Sequence, residues 1–207
     1  MIKVKQYSGK IGPVIGVSII IVLAVPFMRR MMESDMVLHM LVQIPLILFA
    51  GWSLARGCTE QVKVGLQRWN YAGIAGLLMT SLVLIFWMLP RALDIVLTNN
   101  TLELLKFLSL VMAGAALKLS WQAAGMIARG VFLGNVLPMM MVVGWLYIES
   151  PVRICNSYLS NDQLRTGRGL LALSIAGSLI WLYAFFISAG HGDRSEMQSN
   201  NSTSIFK

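Results

Sequence analysis

Asp35 and His39 stand one helical turn apart at the front of a long apolar run. A carboxylate and an imidazole so placed can cap a helix, pass a proton or hold a metal ion. Met28, Met32, Met36 and Met40 recur every four residues around them, with Met31 alongside. Thioether and imidazole donors together suit Cu(I), a soft ion. Methionine is also an ordinary gap-filler of apolar helices, and the chain holds 14 of them. Glu33-Ser34 is expected to turn the chain and interrupt the methionine stripe. Two readings of Asp35 stay open: an N-cap worth about 1 kcal/mol, with His39 as a hydrogen-bonded neighbour, or a ligand or proton-handling pair.

Further polar residues are expected at the same end of the molecule. Trp87-Met88-Leu89-Pro90 closes one apolar run and is followed by Asp94. Glu103 and Lys106 open another at i, i+3 spacing, which reads as an ion pair at a helix start. A metal at this end would draw on His39, Asp35, Met36, Met40, Met88 and Glu103. Met139-Met140-Met141 reads as packing, because consecutive helical residues point in different directions. The chain carries no nucleophile elbow, phosphate loop, H-E-x-x-H motif or paired carboxylates, so it does not read as an enzyme.

The elements that must position these residues are membrane helices. Of 207 residues, 57% are hydrophobic and 13% charged, and the mean hydropathy is +0.69. Soluble domains are nearer half apolar and a quarter charged. Spanning segments of roughly 20 apolar residues are expected at Ile11–Met28, Met36–Ala55, Trp69–Leu89, Leu102–Trp121, Ile127–Ile148 and Leu170–Ser188. In lipid such segments must be helical. The expected fold is an all-α, polytopic membrane helical bundle of about six transmembrane helices, with one domain over residues 1–189 and a polar tail over 190–207. Pro13 suits a helix start; Pro26, Pro45 and Pro138 are expected to kink spans; Pro90 and Pro151 should end them.

Lys and Arg set the orientation. With the N-terminus cytoplasmic, Lys3, Lys5, Lys10, Arg56, Lys63, Arg68, Lys118, Arg129, Arg194 and Lys207 fall inside. Arg29, Arg30, Arg91, Arg153, Arg165 and Arg168 fall outside, so the inner face is the more basic. The net charge of +8 therefore calls for no nucleic acid. Cys58 and Cys155 fall on opposite faces and are not expected to pair. The first apolar run has no small-residue cleavage site and reads as an anchor that stays. The tail, rich in Ser and Asn, cannot bury a core and is expected to be disordered or to lie on a partner.

Four elements, in order, resemble the membrane-embedded cytochrome c oxidase assembly factors of the CtaG type. A family helix reading H-x-x-x-H-x-L, then P-L-L and Gly, corresponds to Asp35-x-x-x-His39-Met40-Leu41, Pro45-Leu46-Ile47 and Gly51. The family's W-H-x-P-x-x-Y-D corresponds to Trp87-Met88-Leu89-Pro90-Arg91-Ala92-Leu93-Asp94. A further H-x-x-x-H aligns with Glu103 and Phe107, ahead of Ala113-Gly114. The family's D-Q-Q loop corresponds to Asp162-Gln163-Leu164, followed by Gly167 and Gly169. Family histidines are replaced by Asp35, Met88, Glu103 and Phe107, and only His39 remains.

The resemblance implies a bacterial inner-membrane protein that serves a copper-containing respiratory oxidase and handles copper at the outer face. The lost histidines leave a second expectation open, a non-catalytic structural subunit of a larger membrane complex with a degenerate metal site. Its partners would be lipid and the subunits of that complex. A small transporter or channel is the third, motivated by Asp35, Glu103 and Lys106.

Overall fold

A computed structural model describes residues 2–58, 65, 70–150 and 158–204. Lys63, Arg68, Trp69, Pro151, Arg153, Cys155 and Lys207 lie outside the described residues. Among the described residues eight α-helices follow one another: α1 (Ile2–Ala24), α2 (Pro26–Glu33), α3 (Ile44–Leu54), α4 (Ile74–Met88), α5 (Pro90–Thr98), α6 (Asn100–Ala123), α7 (Met126–Glu149) and α8 (Ser160–Ser204). A π-helical turn over Leu38–Gln43 leads directly into α3. The described residues contain no strand, as an apolar chain in lipid requires.

Among the described residues three segments are long and apolar enough to cross a bilayer: Leu38–Gly57, Met126–Glu149 and Ser160–Ile187. The number reaches five if the bent pairs α1–α2 and α4–α5 each count as one. The remaining expected span, Leu102–Trp121, lies in α6. That helix carries Glu103, Lys106 and Lys118 and is not among the apolar segments.

Proline sets the bends. Val25 and Leu89 precede Pro26 and Pro90, and both take extended backbone with ψ 127. A proline ring pushes the preceding residue out of the helical region, so the helix ends there and a new one begins. The axes turn by 75° at Pro26 and 73° at Pro90. Pro26 therefore breaks its span, where only a kink is expected from the sequence. Pro13 lies inside α1, and Pro138 lies inside an unbroken α7.

The core forms where α6 packs against both α3 and α4, and α7 packs against α8. Ile47, Ala50, Leu110 and Ala113 are fully buried at the α3–α6 crossing. Two glycines set that crossing. A Cβ on Gly51 would strike the Val111 carbonyl, and one on Gly114 would strike the Leu48 carbonyl. Each helix thus presents a bare backbone to the other, a close approach that small residues allow in membranes. Gly73, at the start of α4, has φ 72 and faces the Ser120 carbonyl, so both its conformation and its space exclude a side chain.

Candidate functional site

The chain enters the site through a turn after Glu33. The Asp35 carboxylate accepts the Val37 N–H at 2.7 Å, satisfying one of the free donors at a helix start. The backbone then widens. The Ile44 N–H reaches back five residues to the His39 carbonyl, the pattern of a π-turn. Pro45 accounts for the widening: it lacks an N–H, and in a regular α-helix its ring would collide with the carbonyl of Leu41. The wider turn keeps His39 and Gln43 on one side of the segment, and both are fully buried.

That side meets Lys106 of α6, whose side chain is also fully buried. The Lys106 ammonium donates to Glu33 Oε1 at 2.9 Å and to Gln43 Oε1 at 3.3 Å, and lies 3.3 Å from His39 Nε2. An ammonium has three donors and no acceptor. The three acceptors account for all three hydrogens. Since Nζ can only donate, Nε2 of His39 accepts. His39 therefore carries its proton on Nδ1, which lies 2.7 Å from the Tyr158 hydroxyl. Gln43 is oriented by the same logic: turned over, its NH₂ would point at the ammonium. In the orientation present its Nε2 is buried with no hydrogen-bond partner.

Charge balance extends outward from Lys106. Arg29 contacts Glu103 Oε2 at 2.8 Å and Glu33 Oε2 at 3.7 Å. Two cations and two carboxylates thus form one neutral group across α2 and α6. Buried charges persist only when paired in this way. On the flank, Arg165 of α8 lies 3.6 Å from Asp35 and 3.8 Å from Asp162. Behind Lys106, the Trp87 indole donates to the Ser109 hydroxyl at 2.8 Å, and that hydroxyl donates to the Lys106 carbonyl at 3.1 Å.

The structure therefore gathers the start of the His39 segment and the start of α6 at one end of the bundle, as the sequence leads one to expect. Individual partners differ from expectation. Glu103 pairs with Arg29 and Lys106 with Glu33, in place of the expected i, i+3 pair. Asp35 caps its own turn and faces Arg165. Met36, Met40 and Met88 are buried in the apolar core with Trp87, Leu93 and Leu110. Gln43 and Tyr158 complete the polar group, yet neither is evident from local sequence alone. Gln43 left a trace: Asp35, His39 and Gln43 recur every four residues. Tyr158 left none.

As arranged, the group does not fit a copper ion. Both His39 nitrogens are engaged, and the position in front of Nε2 is held by the chain's own ammonium. What the arrangement does is tie α2, the π-turn, α6 and Tyr158 together through charge-assisted hydrogen bonds. Comparison with family models, curated proteins and solved structures gives no match for this chain.

Proposed function

We propose that the chain is a non-catalytic accessory factor of a larger membrane enzyme, with the Lys106 group acting as an internal ionic tie. The observation that carries this reading is the saturation of Lys106: its three donors meet Glu33, His39 and Gln43 within the chain, leaving none for a substrate. A transport or catalytic lysine needs an unsatisfied donor or a route to water, and Lys106 is fully buried. The helices are compatible with a bilayer as one partner. The likeness to CtaG-type factors supports a copper-containing respiratory oxidase in a bacterial inner membrane as the other partner, and the bias of Lys and Arg between the two faces supports a cytoplasmic N-terminus.

Gentle solubilisation of native membranes, followed by pull-down of the tagged chain, tests this. The oxidase subunits are expected in the eluate. Recovery with finished enzyme at fixed stoichiometry identifies a permanent subunit. Recovery with immature enzyme identifies an assembly factor. Recovery of the chain alone overturns the accessory role.

A second reading keeps copper on this chain, because Met36, Met40, Met88 and His39 all belong to the buried interior. It requires Lys106 to leave Nε2. Copper(I) titration of the purified protein, repeated on His39→Ala, decides it. Stoichiometric binding that disappears in the variant would establish copper handling.

A further inference from the structure

A cleft of about 500 Å³ runs between α4 and α7. Its walls are apolar, formed by Ile74, Leu77, Leu78, Ile127, Val131 and Phe132 among others. It begins where α4 and α7 begin, at Ala72 and Gly125, and reaches Ser81 and Asn135 near the middle of the two helices. Its lips are open: Leu78, Ile127 and Val131 are 56%, 84% and 66% exposed.

Ser81 and Asn135 are out of place on such a wall. Ser81 is only 4% exposed, yet its hydroxyl makes no hydrogen bond among the described residues. The ordinary remedy for a helical hydroxyl is to bond the carbonyl four residues back. Thr80 does this, donating to the Gly76 carbonyl at 2.8 Å. Ser81 does not. Asn135 is exposed on α7, a segment apolar enough to span the bilayer, and its amide likewise has no partner among the described residues. Polar groups at that depth are costly unless they are satisfied, because hydrocarbon offers no hydrogen bonds. Two such groups line one cleft.

We propose that this cleft is the docking groove for a transmembrane helix of a partner protein, one carrying a hydrogen-bonding side chain at mid-bilayer depth that engages Asn135 and Ser81. Three considerations select that occupant. Phospholipid head groups stay at the interface, and an acyl chain reaching this depth has nothing to offer a hydroxyl or an amide. A Ser, Thr, Asn or Gln on a passing helix does, since it combines donor and acceptor as the Ser81–Asn135 pair requires. Helix association in lipid is driven by close packing and by such cross-helix hydrogen bonds, not by hydrophobicity. The open, apolar lips offer the packing, and Gly125 leaves open space where a side chain would otherwise stand.

The proposal rests on the accessory role, which supplies the partner, and adds the surface on which it sits. Its test places a photo-crosslinking residue at Val131 in the full chain, in native membranes. A second probe at Phe186 of α8, 69% exposed, serves as control. The Val131 probe should join an apolar segment of another protein, and peptide mapping should find a polar residue within it. Asn135→Leu should lower the adduct about tenfold, and Asn135→Gln should restore it, while the thermal unfolding of both variants stays that of the wild type. Phe186 should yield lipid adducts. Val131 adducts to lipid only, adducts to a second copy of this chain, or a yield unchanged by Asn135→Leu would each overturn the groove. If the oxidase co-purifies and Val131 still reaches only lipid, the groove fails and the accessory role stands. If nothing co-purifies, the accessory role fails, and the groove with it.

Discussion

Nζ of Lys106 lies 3.3 Å from Nε2 of His39, and both side chains are cut off from solvent. An ammonium thus occupies the place that an imidazole lone pair would offer to a metal. Glu33 completes the pairing at 2.9 Å. A buried ion pair adds little net stability over an apolar replacement, but removing one member strands the other.

Lys106→Met should therefore destabilise the protein by about 3–5 kcal/mol, because Glu33 loses its closest cation. Lys106→Met combined with Glu33→Gln removes both charges of the pair and should cost less than the sum of the two single changes. Thermal unfolding in one detergent, across the four proteins of the cycle, checks this. Additive losses would mean that the two residues do not act as a pair.

Tyr158→Phe removes the oxygen beside Nδ1 of His39 and leaves that N–H buried without a partner. The expected loss is about 1–3 kcal/mol, the cost of an unsatisfied buried donor. The imidazole nitrogen resonances of His39 should shift as well, since its N–H loses a bond of 2.7 Å. Unchanged spectra in the variant would remove Tyr158 from the group.

The wild-type protein should take up no stoichiometric copper(I), because both nitrogens of His39 are engaged. Lys106→Met frees Nε2 beside Glu33 and Gln43, so any copper affinity should rise in that variant. Titration with a copper(I) competitor compares the two. Tight binding by the wild type that Lys106→Met leaves unaltered would place copper elsewhere.

The helical, membrane-bound character was legible because apolar runs near 20 residues long leave few alternatives in lipid. The breaks were only partly legible. The sequence points to a stop at Pro90 but only to kinks at Pro26 and Pro45. In the structure Pro26 ends a helix, and Pro45 lies just beyond a π-turn. The site was legible where spacing is local. Asp35 and His39 share a helical period, and Asp35 caps its turn. It was not legible where distant segments meet. Lys106 lies 73 residues from Glu33, and its nearer carboxylate, Glu103, offered a plausible local partner. Tyr158 lies 119 residues from His39, and no local pattern links them. Long-range pairing of charges depends on how helices cross, and the glycines that set the crossing do not name the side chains it brings together.

Those glycines give the last prediction. At Gly114 a Cβ would strike the Leu48 carbonyl, and backbone cannot yield as a flexible side chain can. Gly114→Val should therefore push α3 and α6 apart, disturb the Lys106 group that bridges the same two segments, and cost more than about 3 kcal/mol by overpacking and lost pairing. Gly134, on α7, has nothing within 4 Å of the same position. Gly134→Ala should be neutral or stabilise the helix by up to about 1 kcal/mol, the difference in helix propensity. Unfolding of the two variants side by side separates a packing role from a mere preference for small residues. A Gly134→Ala protein as damaged as Gly114→Val would mean that α7 too is packed face to face at that point, against the open surface seen here.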